Sequence, residues 1–485
     1  MKIGSLDMSR LLLLIGLLVA LTPAAAESGR WPARLQEALA ETGVSRDAVG
    51  LYVQEVGADH PLFAWNADRS MNPASTMKLV TTLAALELLG PAYVWRTEAY
   101  ADGTLSGDTL NGNLVLKGYG DPKLTLENFW LLLRELRSRG LKEIRGDLIV
   151  DRTLFALTEN DPGRFDNEPT RAYNVAPDAL LVNYKAVRLQ FIPQEDRGTV
   201  KIVPTPDLPQ ISILNQLVLG AGNCDFWPDK PQALPEQARL IFTGVFPRGC
   251  GERSKNFSLL TPNEYLLALF QQTWRELGGT ITGTVRDGVT PPEAKLLATS
   301  ESQPLAEVIR DINKFSMNVM ARHVFLTLSL TADLPPATTE KSVRAVREWL
   351  KRSQLEFPEL VLENGSGLSR NERITPRNLA RILQKAWASP LMPEFLASLP
   401  IPGVDGTLRR RLGSSPVSGQ AHIKTGYLEG VRAIAGYVQD SRGHWIIVVS
   451  IINHSGALNA QSFQDAVVEW AYSDAAAASA CCVKR

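Results

Sequence analysis

Strand-like runs lie near both ends of this chain, and a long stretch of different texture separates them. Near the start, Val49-Gly-Leu-Tyr-Val-Gln-Glu-Val56 and Pro61-Leu-Phe-Ala-Trp-Asn66 are rich in β-branched and aromatic residues. Near the end come Ala421-His-Ile-Lys-Thr-Gly426, Val431-Arg-Ala-Ile-Ala-Gly-Tyr-Val438 and His444-Trp-Ile-Ile-Val-Val-Ser-Ile-Ile452. Ser441-Arg-Gly443 supplies the turn between the last two, so these three read as an antiparallel meander. Two strands and three strands complete one sheet only if the chain returns to where it started. Completing one sheet in that way would leave residues 97–296 as an insertion in a domain built from 27–96 and 297–475.

The insertion is itself interrupted. From about Val94, short strands alternate with Asp-Gly, Ser-Gly-Asp and Asn-Gly-Asn turns, followed by a helix from Leu126 and a strand ending at Asp151. Residues 187–255 then alternate short β-like runs with Pro and Gly, and helical patterning returns at Asn263. Residues 187–255 read as a small, mainly β module, which leaves 97–186 and 256–296 on either side of it as the rest of the insertion. The last third is helical before the meander: Leu305 to Leu328, Thr338 to Arg352 and Thr375 to Ser389, with a closing helix from Gln461. The fold class is α+β.

Residues 1–26 read as a secretory leader. Lys2 and Arg10 precede the apolar run Leu11–Leu21, and Ala24-Ala-Ala26 offers small residues for cleavage. No second run is long and apolar enough to span a bilayer, so membrane contact is at most peripheral. Residues 476–485 read as a flexible tail that includes Cys481 and Cys482. In an oxidising compartment Cys224 and Cys250 can pair, the alternative being two buried thiols. Lys and Arg total 51 and Asp and Glu total 51, which gives no composition-level case for nucleic acid. Five scattered histidines and no zinc-type cysteine spacing suggest no metal site.

Three short motifs carry the chemistry. Ser75-Thr-Met-Lys78 lies in a proline-led run of helix formers, where positions three apart share a face. A hydroxyl beside an amine at the positive end of a helix is a nucleophile–base pair, or simply a cap beside a solvated charge. Lys424-Thr-Gly426 ends a strand: the cation and Thr425 suit a carboxylate, and Gly426 permits close backbone approach. Ser316-Met-Asn318 opens a helical run. The S-x-N pattern also occurs at Ser70 and Ser369; Ser316 is preferred for its order and context.

The order S-x-x-K, S-x-N, K-T-G is the signature of penicillin-recognising serine enzymes. The chain resembles the class C low-molecular-mass penicillin-binding proteins, a family of D-alanyl-D-alanine carboxypeptidases and endopeptidases. Further matching blocks are Gly118-Tyr-Gly-Asp-Pro122, Asn364-Gly-Ser-Gly-Leu-Ser-Arg370, Gly403-Val-Asp-Gly-Thr-Leu408 and the stretch from Lys424 to Val438.

The resemblance implies a transpeptidase/β-lactamase-like domain, an antiparallel sheet flanked by helices, with nested inserted domains. It implies Ser75 as nucleophile, Lys78 as base and Ser316 as proton relay. Asn318, Lys424, Thr425 and Gly426 would bind substrate, and the backbone N–H groups of Ser75 and Tyr427 would form the oxyanion hole. The partners implied are peptidoglycan stem peptides, with β-lactams as inhibitors, in the periplasm and without a cofactor. Tyr427 departs from the family, which often has a small hydroxyl residue after K-T-G. His422, Asp121, Asp405 and Arg370 read as structural. The alternatives are a β-lactamase or esterase on the same fold, and a non-catalytic peptidoglycan-binding scaffold. Carboxypeptidase against endopeptidase preference and oligomeric state are not legible.

Overall fold

The computed structural model describes residues 31–156, 161–225, 227 and 230–473. The leader at 1–26 and the tail at 476–485 lie outside the described residues. The five strands of the terminal segments form one sheet in the order Ala421–Leu428, Val431–Gln439, Trp445–Asn453, Val49–Glu55, Phe63–Trp65. Every neighbouring pair is antiparallel, with Val53 opposite Val448 across the seam between the two chain ends.

Helices cover both faces of this sheet, so its central strands are apolar at nearly every position. Alternation still sorts the side chains. Ala433, Ala435, Tyr437, Ile447, Val449 and Ile451 enter the core shared with the helices Lys78–Leu89, Leu305–Phe315, Asn318–Leu328, Thr339–Arg352 and Pro376–Ala388. Ile434, Val438, Ile446, Val448 and Ile452 enter the opposite core, under the helices Ala33–Ala40 and Gln461–Ser473. Lys78–Leu89 runs through the middle of the first core, and every residue from Lys78 to Leu86 is buried. That explains why its sequence shows no polar face.

The insertion leaves and re-enters at adjacent points. Strand Lys295–Glu301 pairs antiparallel with Arg96–Ser106, placing Arg96 opposite Glu301. The Trp95 N–H donates to Ser302 Oγ at 3.0 Å across the junction. The domain's sheet therefore runs through Glu301, a few residues beyond the expected limit at 296, because Lys295–Glu301 completes the pairing begun by Arg96. Seven strands make this sheet, with helices Leu126–Ser138 and Pro262–Glu276 packed on it. Within it, residues 187–257 form a six-stranded sheet of their own. Cys224 and Cys250 are joined by a disulfide there, their Cα atoms 4.5 Å apart.

The inserted domain grips the Asn318–Leu328 helix. His323 is fully buried at that contact; its Nε2 accepts the Asp178 N–H at 3.2 Å and its Nδ1 donates to the Gly120 carbonyl at 3.2 Å. Burial holds the His323 pKa down to about 4, which keeps the ring in the neutral form that one acceptor and one donor require. The Trp95 indole donates to Thr327 Oγ1 on the same helix at 3.0 Å.

Candidate active site

Ser75 does not sit on the first turn of an α-helix. Ala74–Met77 is a 3-10 turn that leads into Lys78–Leu89. The tighter winding eclipses side chains three apart and brings Ser75 and Lys78 together. Asn72 buttons this turn down: its Oδ1 accepts the Ala74 N–H at 2.9 Å, and its Nδ2 donates to the Ser369 carbonyl at 2.9 Å. Ala74 is held at φ 47°, a conformation rare for a residue with a side chain.

Lys78 is fully buried, and its Nζ has three neighbours. Ser75 Oγ lies at 3.0 Å, Asn318 Oδ1 at 2.7 Å, and the Ser366 carbonyl oxygen is the third. The Asn318 amide orientation follows from its other end, where Nδ2 donates to the Tyr173 carbonyl at 3.3 Å. Two of the three neighbours of Nζ are therefore obligate acceptors, and the third is a hydroxyl that can donate. A neutral amine has two N–H donors and one lone pair. Its donors go to Asn318 and Ser366, and the lone pair is left facing the Ser75 hydroxyl. Burial lowers the Lys78 pKa well below the usual lysine value, the Lys424 cation lowers it further, and Glu372 partly opposes the shift. The geometry accommodates a neutral amine, and burial together with the Lys424 charge favours it.

Ser316 interrupts the helix expected from Leu305 to Leu328. It adopts φ 58°, ψ 39° between Leu305–Phe315 and Asn318–Leu328. The left-handed residue redirects the chain, so the Ser316 hydroxyl lies 3.0 Å from Lys424 Nζ while Asn318 reaches Lys78. Lys314 fixes the approach to this break: buried at 3% exposure, it pairs with Asp405 at 2.6 Å. Lys424 is also fully buried, and burial brings its pKa down to about 7. Its Nζ donates to the Thr425 carbonyl at 2.7 Å as well. Thr425 Oγ1 is 2.8 Å from Thr407 Oγ1.

Gly426 lies against the nucleophile turn. A Cβ there would meet the Pro73 carbonyl oxygen at 2.8 Å and the Ser75 nitrogen at 3.0 Å. The strand holding Lys424, Thr425 and Gly426 forms one edge of the central sheet. The Tyr427 side chain is half exposed, with the Arg432 guanidinium over its ring. Ser75, Lys78, Ser316, Asn318, Lys424, Thr425 and Gly426 are thus assembled in one place from three distant segments.

The other S-x-N candidates serve local structure. Ser369 Oγ accepts the N–H groups of Asn371 at 2.9 Å and Glu372 at 3.1 Å, closing its own loop. Asn72 belongs to the nucleophile turn. His422 Nδ1 donates to the Leu396 carbonyl at 3.1 Å, and Asp121 accepts the Lys123 N–H at 2.8 Å. Arg370 stacks over Phe165 and donates to the Glu429 carbonyl.

A fourth segment entered the sequence reading as a matching block and as the setting of the competing Ser369, not for its backbone. The Asn364–Glu372 loop gives Lys78 the Ser366 carbonyl, and its Gly367 touches the Ala74–Ser75 peptide. Two glycines flanking one serine were the available signal, since φ 68° at Gly365 and φ 78° at Gly367 exclude ordinary side chains.

This chain is 26% identical over 407 residues to the D-alanyl-D-alanine carboxypeptidase DacB of Haemophilus influenzae, covering 84% of this chain and 85% of that protein. It is 29% identical over 433 residues to the D-alanyl-D-alanine carboxypeptidase of Actinomadura sp. (strain R39), covering 84% and 78%. The crystal structure of penicillin binding protein 4 (dacB) from Haemophilus influenzae superposes with a TM-score of 0.70 at 27% identity, over 84% of this chain and 90% of that one. The same protein complexed with a novel β-lactam gives 0.71 at 24% identity, over 91% and 100%. With residues 32–473 matched by its profile, the chain belongs to the D-Ala-D-Ala carboxypeptidase 3 (S13) family.

Proposed function

We propose that this protein hydrolyses the bond between the terminal D-alanines of peptidoglycan stem peptides through an acyl-enzyme on Ser75. The observation that carries this reading is the buried Lys78 Nζ 3.0 Å from the Ser75 hydroxyl, its other two neighbours being carbonyl oxygens. Ser75 Oγ attacks the penultimate carbonyl carbon as its proton passes to Lys78. The oxyanion is held by the backbone N–H groups of Ser75 and Tyr427, each such donor worth about 3–4 kcal/mol. Ser316, bonded to Lys424, relays the proton to the leaving amine, the C–N bond breaks and D-alanine departs. Asn318 holds the substrate amide. Lys424 and Thr425 bind the terminal carboxylate, and water then hydrolyses the ester.

A peptide lying along the open edge of the sheet meets these groups in strand register. The D-alanyl-D-alanine carboxypeptidases among the relatives, and the β-lactam complex of the Haemophilus influenzae protein, support both substrate and inhibitor class. The leader-like sequence and the disulfide support a periplasmic location. Among the described residues no helix is long and apolar enough to cross a membrane.

The test is labelling with a fluorescent penicillin, wild type beside Ser75→Ala, followed by intact mass. A lasting adduct on wild type and none on the variant is the expected result. Rapid drug turnover without an adduct would indicate a β-lactamase, and no reaction from folded protein would leave only a binding scaffold.

A further inference from the structure

Glu372 is a fully buried carboxylate that the mechanism above does not use. Its Oε1 accepts three consecutive backbone N–H groups: Glu363 at 3.1 Å, Asn364 at 2.9 Å and Gly365 at 3.0 Å. Its Oε2 is buried with no hydrogen-bond partner. Ordinary loop closure does not demand a buried carboxylate, which is costly unless the charge is used or compensated. The loop it gathers has two contacts with the reaction centre. The Ser366 carbonyl accepts from Lys78 Nζ, and Gly367 abuts the Ala74–Ser75 peptide. Thr81, on the Lys78–Leu89 helix, donates to the Gly365 carbonyl at 2.6 Å and ties the loop to the base's own helix.

We propose that Glu372 is a positioning residue for this reaction: one carboxylate oxygen gathers three amide N–H groups, and the loop so held aims the Ser366 carbonyl at Lys78 Nζ. The Ser366 carbonyl takes one of the two N–H donors of the neutral amine. Without it, nothing in the site obliges the lone pair to face Ser75. Burial pushes the Glu372 carboxyl up from the usual carboxylate range while the three N–H bonds and Lys78 oppose that shift, and in its ionised form it also acts through charge. The charged groups around it are Lys78 and Arg322, whose protonated forms it favours; Lys78 in turn faces the Lys424 cation, which opposes its protonation. The inference rests on Lys78 as the proton acceptor.

Glu372→Gln keeps an acceptor for the three N–H groups and removes the charge, whereas Glu372→Ala removes both. The assay is penicillin acylation resolved into a saturation constant and a rate constant from about pH 5 to 9, with thermal denaturation alongside. Glu372→Ala is expected to lower the rate constant about 100-fold, the scale of a lost general base, with the saturation constant within about threefold of wild type. Glu372→Gln is expected to recover at least about tenfold of that loss. It should also move the acid limb to lower pH, because a Lys78 freed from the carboxylate releases its proton more readily.

Folded Glu372→Ala acylating within about threefold of wild type overturns the proposal, as does Glu372→Gln no better than Ala. An unmoved acid limb in Glu372→Gln removes the role of charge alone. Should the Ala variant not fold, Glu372→Asp, whose shorter side chain withdraws the acceptor, takes its place, and acylation within about threefold of wild type overturns the proposal. Wild type that fails to acylate refutes the Ser75 chemistry itself. Wild type that acylates beside an unaffected Glu372→Ala refutes only this inference.

Discussion

Gly367→Ala should disable the nucleophile without touching a reacting side chain. A Cβ on Gly367 would lie 1.9 Å from the Ala74 carbonyl oxygen, 2.4 Å from its carbon and 2.7 Å from the Ser75 nitrogen. All three are backbone atoms, so no rotamer change relieves the overlap. Restoring an ordinary contact requires roughly 1 Å of relative movement, and a displacement of that size at a reacting centre costs on the order of 100-fold in rate. The atoms that move are the peptide carrying Ser75 and its N–H, the proposed oxyanion donor. Backbone strain adds about 1–2 kcal/mol, because Gly367 sits at φ 78°. Gly419→Ala separates the two effects, since Gly419 has φ 76° and nothing within 4 Å of an added Cβ. Penicillin acylation followed by intact mass, with thermal denaturation in parallel, is the assay. The expected result is comparable strain in both variants and a rate loss confined to Gly367→Ala. A folded Gly367→Ala acylating within about threefold of wild type would refute the reasoning, because the nucleophile turn would then tolerate the displacement.

Two other outcomes follow from burial and from connectivity. Burial places the Lys424 pKa at about 7, and carboxylate recognition needs its cation, so kcat/KM for a D-alanyl-D-alanine peptide should fall as pH rises through about 7. The Lys78 requirement has the opposite sign and sets the acid limb; a pH profile flat to about 9 would contradict the assignment of Lys424. Replacing Cys224 and Cys250 by Ser opens a link across 26 residues, which should cost about 3–4 kcal/mol in the small β domain. Acylation by penicillin should stay within about twofold, since the bridge joins turns beside the six-stranded sheet and not the central one; hydrogen exchange and the acylation rate measure the two halves.

The central sheet was legible because its strands are apolar runs bounded by turn residues, and because two near one end and three near the other can complete one sheet. The Ser75–Lys78 pair was legible because three-residue spacing is local: either a 3-10 or an α turn brings the two side chains together. Ser316 was harder. Apolar periodicity continues on both sides of it, and a serine gives no composition signal for φ 58°, so the sequence reads as one helix where the structure has two. The Ser366 contribution is a main-chain carbonyl, which any residue could supply. Glu372 in an Asn-Glu-Arg run looks like a solvated charge, and only the fold shows it at 0% exposure.

The division of labour between the two lysines was equally hidden, and it follows from their neighbours. Two ammonium groups buried at one site disfavour each other's charge, so at most one carries a proton comfortably. At Lys78, two carbonyl oxygens occupy the N–H donors and a hydroxyl faces the remaining position, an arrangement complete for a neutral amine. At Lys424 the partners are the Ser316 hydroxyl and the Thr425 carbonyl, and the pKa is lowered by burial alone. Burial pushes the Lys78 pKa well down, and the Lys424 cation pushes it further in the same direction. Two fixed acceptors orient the N–H donors of Lys78, while burial and the Lys424 cation, not those acceptors, favour its neutral form. Those acceptors come from Asn318, across the break at Ser316, and from Ser366, in the loop gathered by Glu372. Both lie far from Lys78 in sequence, which is why the tetrad at Ser75 is only half of the catalytic device.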